Sequence, residues 1–136
     1  AFSGEKKPLL GICLGMQLLS KSGTEGGKVD GLGIIEGTVK PFNFENKEFR
    51  VPHVGWNSIE NINKNSKILS GIENSTDFYF VHSYYLETNP DTRAADTNYG
   101  VNFCSVVEIN NVFGTQFHPE KSSKPGRKVL ENFANF

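Results

Sequence analysis

Lys7-Pro8-Leu9-Leu10-Gly11-Ile12-Cys13-Leu14-Gly15-Met16-Gln17-Leu18-Leu19 decides the fold class. A charged lead-in followed by the short apolar run 7–12 suits a buried strand of a parallel sheet. Leu14 and Leu18 then stand one helical turn apart with no turn dipeptide before them, so the chain passes straight from strand into helix. Gly11-Ile12-Cys13-Leu14-Gly15 has the form G-x-C-x-G, the thiol counterpart of the G-x-S-x-G nucleophile elbow. In that device a sharp strand-to-helix turn lifts the nucleophile out of the sheet, and the glycines at ±2 let strand and helix pass close together. A thiol at a helix N-terminus meets the positive end of the dipole, and the backbone N–H of Leu14 is placed to hold an oxyanion. At ordinary Gly and Cys frequencies the pattern arises by chance in roughly one chain in a hundred of this length. A buried structural cysteine in a glycine-rich turn is the plain alternative.

Downstream, Lys21 to Gly33 holds five glycines, which end the helix and predict a mobile loop. Short strands are expected at Ile34–Ile35, Thr38–Phe42 and Phe49–Val54, with a helical turn near Ser66–Leu69. The aromatic and β-branched run Asp77–Tyr85 is the strongest strand signal and predicts a central strand. Phe103–Ile109 and Val112–Phe117 flank Asn110-Asn111, a pair that tolerates positive φ and so predicts a hairpin. From Pro125 the pattern is helical, with Val129, Leu130, Phe133 and Phe136 on one face.

A cysteine nucleophile needs a base, and the base an orienter. Gly114-Thr115-Gln116-Phe117-His118-Pro119-Glu120 supplies both. Pro119 keeps His118 extended, and residues i and i+2 of an extended segment face the same side, so Glu120 reaches the imidazole. His-x-Glu alone is more often a surface pair, and the cysteine elbow is what gives it weight. His53, His82 and His118 are too dispersed to give a metal-ligand spacing, and no metal or cofactor is expected. Gly23–Lys28 fails as a phosphate loop, because Ser22 stands where the first Gly is required and Val29 where Ser or Thr must follow the Lys. Cys104, between Phe103 and Val106, is expected in the core. Trp56, in Pro52-His53-Val54-Gly55-Trp56-Asn57, is expected on an ordered surface loop, with a core position as the alternative.

The 136 residues suit one domain, 1–136. Fourteen Lys+Arg against fifteen Asp+Glu give a net charge of −1, which offers no field for nucleic acid or anionic lipid. The longest apolar stretch, Pro8–Leu19, falls short of the roughly 20 residues of a membrane helix. Two cysteines and no signal-like opening predict a reducing, cytoplasmic setting. A start at Ala1 and an end at Phe136 inside a helical pattern predict a piece of a longer polypeptide.

GICLGMQLL at 11–19 and GTQFHPEKS at 114–122 resemble the nucleophile and His/Glu segments of the triad (class I) glutamine amidotransferases. PHVGWN at 52–57 and FVHSYY at 80–85 are similar to the subfamily that supplies ammonia to a cyclase in histidine biosynthesis. The resemblance implies an α/β fold: an open, mostly parallel sheet flanked by helices with an added antiparallel hairpin. It implies a glutaminase in which Cys13 attacks the side-chain amide of L-glutamine, His118 transfers protons and Glu120 orients the histidine. Leu14, Gln17, Glu25, Ser83 and Tyr84 match positions that contact glutamine or its oxyanion. Trp56 and Lys121 match a face that docks on a synthase or cyclase, as a heterodimer or a fusion. The same chemistry could feed another amidating synthase, for example in surface-sugar synthesis, and a non-catalytic glutaminase-like binding module is the alternative of another class. The family carries further strand–helix units before its cysteine strand, with a loop that donates a second oxyanion N–H. About sixty residues are therefore expected upstream, and the activity is expected of the full-length parent.

Overall fold

The computed structural model describes residues 7–23, 29–44 and 49–136, and these form ten strands and two α-helices. β1 (Leu9–Ile12) passes into α1 (Leu14–Leu18) through Cys13 alone. Strand and helix approach so closely that a Cβ on Gly11 would lie 2.6 Å from the carbonyl oxygen of Gly15. A Cβ on Gly15 would meet nothing within 4 Å. The close passage expected of both flanking glycines is thus set by Gly11.

α1 ends where the Ser20 hydroxyl donates to the carbonyl of Gln17, at 2.7 Å. The loop expected over Lys21–Gly33 is corrected at 21–23 and 29–30, where β2 (Ser20–Gly23) pairs with β3 (Val29–Asp30) and β4 (Ile35–Pro41), and is irregular as expected at 31–33. The segment has little strand propensity of its own, and the ladder offered by β4 overrides it. Residues 24–28 of the expected loop lie outside the described residues, and Glu25 with them. β4 also fuses the two short strands expected between Ile34 and Phe42.

Four later strands are β7 (Tyr84–Thr88), β8 (Arg93–Asn98), β9 (Asn102–Ile109) and β10 (Val112–Thr115). The main sheet runs β1-β10-β9-β7-β4-β2-β3, with β8 also paired to β9. Among the described residues β1/β10 and β2/β4 pair in parallel and the other pairings are antiparallel, giving a mixed sheet with helices in the expected α/β class. The hairpin forms as expected, with Ile109 opposite Val112 and Asn110 at φ 54°.

The aromatic run 77–85 is not one central strand. β6 (Thr76–His82) pairs with β5 (His53–Ile59) as a separate two-stranded ribbon, and the chain re-enters the main sheet at β7 after a break at Ser83. Phe78, Phe80 and His82 are buried while Tyr79 and Val81 stay half-exposed, so one inward face supplied the apolar content that suggested a two-sided burial. Trp56, expected on a loop, lies on β5 and is 54% exposed. One core cluster, with Phe78, Phe80, Phe103, Phe113, Phe117 and Val129, lies on the side of the sheet that carries the ribbon and the C-terminal helix. The other, with Met16, Leu19, Val39, Leu86, Cys104 and Val107, lies on the α1 side. α2 (Ser123–Ala134) rides on the turn at 119–121, where Gly126 leaves no room for a Cβ against the carbonyl of Pro119. Val129 is its buried contact, and Phe136 falls beyond the helix and is exposed.

Gly11→Ala is expected to cost about 1–3 kcal/mol of stability through overpacking at the elbow. Gly15→Ala should be neutral or gain up to about 1 kcal/mol of helix propensity. Urea midpoints of the two variants check the contrast; equal losses would show that the close passage is not set by Gly11.

Candidate active site

Cys13 caps α1 with φ 53° and ψ −106°, a conformation that L side chains avoid. It is held there from both sides. Its N–H donates to the Thr115 carbonyl at 2.7 Å, continuing the ladder in which Ile12 faces Thr115, and its carbonyl accepts from the Gln17 N–H at 3.1 Å. The turn lifts the half-buried thiol toward the outer edge of β6, where Sγ lies 3.6 Å from the Val81 carbonyl and 3.6 Å from Gln116 Nε2.

His118 reaches the same edge. Its backbone N–H donates to the Tyr79 carbonyl at 2.9 Å. Carbonyls two residues apart on a strand face the same way at a spacing of about 7 Å, so Tyr79 and Val81 hold histidine and cysteine at neighbouring stations. His118 Nδ1 lies 2.8 Å from Glu120 Oε2. A carboxylate only accepts, so Nδ1 carries a proton, and in the neutral tautomer Nε2 presents a lone pair. The pair forms as expected but by another route: His118 is extended at φ −97° and ψ 101°, whereas Glu120 sits in a 3-10 turn, Pro119–Lys121. Buried Ser122 fixes that turn, donating to the His118 carbonyl at 2.6 Å and accepting from the Tyr79 N–H at 2.9 Å.

Gln17 is buried, and its Nε2 donates to the Tyr84 carbonyl and to Gln116 Oε1, both at 3.2 Å. Leu14 opens α1, where a helical N–H has no intrahelical partner. With only five residues in α1, the first-turn N–H groups rather than a long dipole act on the thiol. Ser83 stands at the break between ribbon and sheet, its carbonyl accepting from the Phe42 N–H at 3.0 Å. Cys13, Gln17, Tyr84, His118 and Glu120 are thus gathered. Trp56 and Lys121 flank them on the surface around Tyr79, whose ring lies 5.9 Å from that of Trp56. Gln116, fully buried, and Tyr79 are site residues that the sequence reading missed.

Two of the histidines dispersed in sequence meet in the fold. β5 and β6 pair His53 with His82, Nδ1 to Nε2 at 2.9 Å. Their strand parity was the available signal, since His82 shares the inward face of Phe78 and Phe80. His82 Nδ1 donates to the Tyr84 carbonyl at 2.7 Å, which leaves its Nε2 to accept from His53 Nδ1–H. His53 Nε2 then accepts from the Asn57 amide, 3.2 Å away, whose nitrogen also donates to the Asn98 carbonyl at 3.0 Å. Every bond is satisfied only with both rings neutral. The surroundings agree: His53 stacks on Tyr99 and Phe80, with centroids 4.0 and 4.9 Å away, and His82 packs against Phe103 and Phe42, each 5.1 Å away. Burial lowers His53 from 6.5 to about 4, and the adjoining His82 adds to it. Burial also lowers His82 to about 4, against the raising effect of the Tyr84 carbonyl and with a smaller lowering from His118. Cys104 is core as expected, its thiol pushed up to about 12 mainly by burial. Among the described residues no three His, Cys, Asp or Glu gather into a metal-holding set.

With this geometry in place, comparison with known proteins is direct. The profile of the family "Glutamine amidotransferase class-I" matches residues 1–135. The chain belongs to the class I glutamine amidotransferases. It is 49% identical over 130 residues to the imidazole glycerol phosphate synthase subunit HisH 1 of Campylobacter jejuni strain 81-176, covering 96% of this chain and 64% of that protein. It is 50% identical over 131 residues to the HisH subunit of Pelagibacter ubique, covering 96% and 62%. The chain therefore spans slightly less than two thirds of these curated relatives. A glutamine amidotransferase of Thermotoga maritima shares the fold, with a TM-score of 0.62 at 18% identity, covering 98% of this chain and 50% of that one.

The histidine pair predicts acid sensitivity. The unfolded rings take up protons near pH 6.5 and the folded ones only near 4, so the stability due to the lowered values is complete above 6.5 and is lost as the pH falls toward 4. Over the shift from 6.5 to about 4, at about 1.4 kcal/mol per pKa unit, the loss is at most ~3.5 kcal/mol per ring. NMR titration should find two imidazoles that stay neutral down to about pH 5, and urea midpoints should fall over the same window. Midpoints near 6.5 for His53 and His82 would contradict the neutral pair.

Proposed function

We propose that residues 1–136 form part of a glutaminase domain that hydrolyses L-glutamine and hands the ammonia to a synthase partner. The observation that carries this reading is the strained Cys13 at a strand–helix junction beside a His118–Glu120 pair with its Nε2 lone pair free of the carboxylate. Nε2 accepts the thiol proton as Sγ attacks the amide carbon, and the Leu14 N–H supports the oxyanion. The imidazolium returns the proton to the departing nitrogen, ammonia leaves and a thioester remains. Water, deprotonated by the same nitrogen, then attacks the thioester; glutamate departs and the thiol is restored. Glu120 keeps the proton on Nδ1 and stabilises the imidazolium. Gln17, Glu25 and the backbone of Ser83 and Tyr84 bind the amino-acid end of the substrate.

The likeness to HisH subunits along 96% of the chain favours the cyclase of imidazole glycerol phosphate synthesis, in histidine biosynthesis, as the ammonia acceptor. Trp56, exposed beside Tyr79, and Lys121, exposed on the catalytic turn, form the docking face in this reading.

In the full-length parent Cys13→Ala is expected to abolish glutamine-dependent turnover while synthesis from added ammonia persists. A glutamine-mimicking diazoketone should modify Cys13, and Glu120→Gln should cost less rate than His118→Ala. Persisting glutamine hydrolysis by Cys13→Ala would sink the reading. Trp56→Ala and Lys121→Ala should lower partner-stimulated hydrolysis much more than basal hydrolysis with little change in melting temperature. Equal loss of both rates would count against the docking face.

A further inference from the structure

Gln116 lies fully buried against the reacting thiol, and donor–acceptor logic fixes which way its amide points. The Tyr84 carbonyl can only accept, so the Gln17 atom 3.2 Å from it is the amide nitrogen. That nitrogen also meets Gln116 at 3.2 Å, and the atom it meets must be the acceptor Oε1. Gln116 therefore turns its NH2 group to Cys13, with Nε2 3.6 Å from Sγ. The backbone adds to the constraint: the Gln116 N–H donates to the Ser105 carbonyl at 2.9 Å, which anchors the residue just after β10.

The Tyr84 carbonyl is fixed in turn from its far side. His82 donates to it at 2.7 Å, His53 to His82, and the Asn57 amide to His53, with Asn57 itself pinned by the Asn98 carbonyl. Read from either backbone carbonyl, Asn98 or Tyr84, the donors and acceptors come out the same.

We infer that Gln116 is a catalytic residue of this site: its side-chain amide donates to the Cys13 sulfur and favours the thiolate, in the orientation that Gln17 and the Tyr84 carbonyl impose. This rests on the reading of Cys13 as nucleophile. Two contacts of the thiol have opposite effects. The Val81 carbonyl accepts S–H and so favours the protonated form. The Gln116 amide keeps its bond after the proton has moved to His118 Nε2, and that bond strengthens because its acceptor is then charged. No bond to Gln116 breaks in the exchange, so the donor needs no reorganisation at the moment of attack.

The test is alkylation of Cys13 by chloroacetamide across the pH range of the native fold, followed by peptide mapping in the full chain. Cys104 stays silent because its thiol is buried and held protonated up to about 12. Removing the donor with Gln116→Met should raise the alkylation midpoint by about one to two pH units, and Gln116→Glu should raise it further. Circular dichroism establishes which variants are folded. In the unaltered protein the Gln116 side-chain amide proton should shift with the same midpoint as alkylation, a readout that needs no variant. An unchanged midpoint in a folded variant, or an amide proton that stays fixed through the titration, overturns the inference. Diazoketone labelling separates the two ideas. Normal labelling of Cys13 with an unshifted midpoint removes Gln116 alone, whereas a shifted midpoint without labelling removes the glutaminase reading and leaves the pairing standing.

Discussion

The parallel ladder between β1 and β10 carries the strain at Cys13 and, with it, the arrangement of every other group in the site. A backbone at φ 53° persists only where its surroundings over-determine it, and here the Thr115 carbonyl grips the cysteine N–H while the first turn of α1 grips its carbonyl. The same ladder brings the two ends of the chain's chemistry together. Ile12 faces Thr115, so the residues that follow each strand, Cys13 on one side and Gln116 to His118 on the other, emerge at one end of the sheet. A slip of one residue would send Gln116 and Thr115 to exchanged faces, pointing a methylated hydroxyl at the thiol.

How much of this was legible depended on whether the determinants were local. The elbow was readable because glycine spacing and the change of period occur within a few residues, and the hairpin because Asn110-Asn111 is a turn in itself. The His118–Glu120 pair was readable from Pro119, although the turn that makes the pair is shorter than an extended strand. What stayed hidden was tertiary. Ser20–Gly23 becomes a strand only because β4 lies beside it. The run 77–85 divides between two sheets because its alternation buries one face. His53 meets His82 only through the register of a ribbon whose two strands are separated by sixteen residues of loop and turn, 60–75.

The two histidines of the ribbon are built in as neutral groups. Two imidazoles walled in by Phe42, Phe80, Tyr99 and Phe103 would be costly as cations, and the fold instead uses them as neutral, directional links between one backbone carbonyl and one amide. Buried networks of this kind rigidify what they join when every member is satisfied, and they are costly when one is not. The consequence is a buried glutamine, Gln17, whose side chain is constrained from the opposite side of the ribbon, at Asn57.

The outer edge of β6 has a bearing on how such a chain can vary over generations. Tyr79 and Val81 offer their carbonyls to the histidine and the cysteine, so what the ribbon contributes there is peptide backbone and not side-chain identity. Substitutions at 79 and 81 leave that contribution intact, whereas inserting or deleting a single residue between 79 and 82 rotates the carbonyls to the wrong edge and misaligns His82 with His53 at the same stroke. Between 79 and 82 the length is therefore fixed, and only at 79 and 81 does the backbone contribution leave the spelling free.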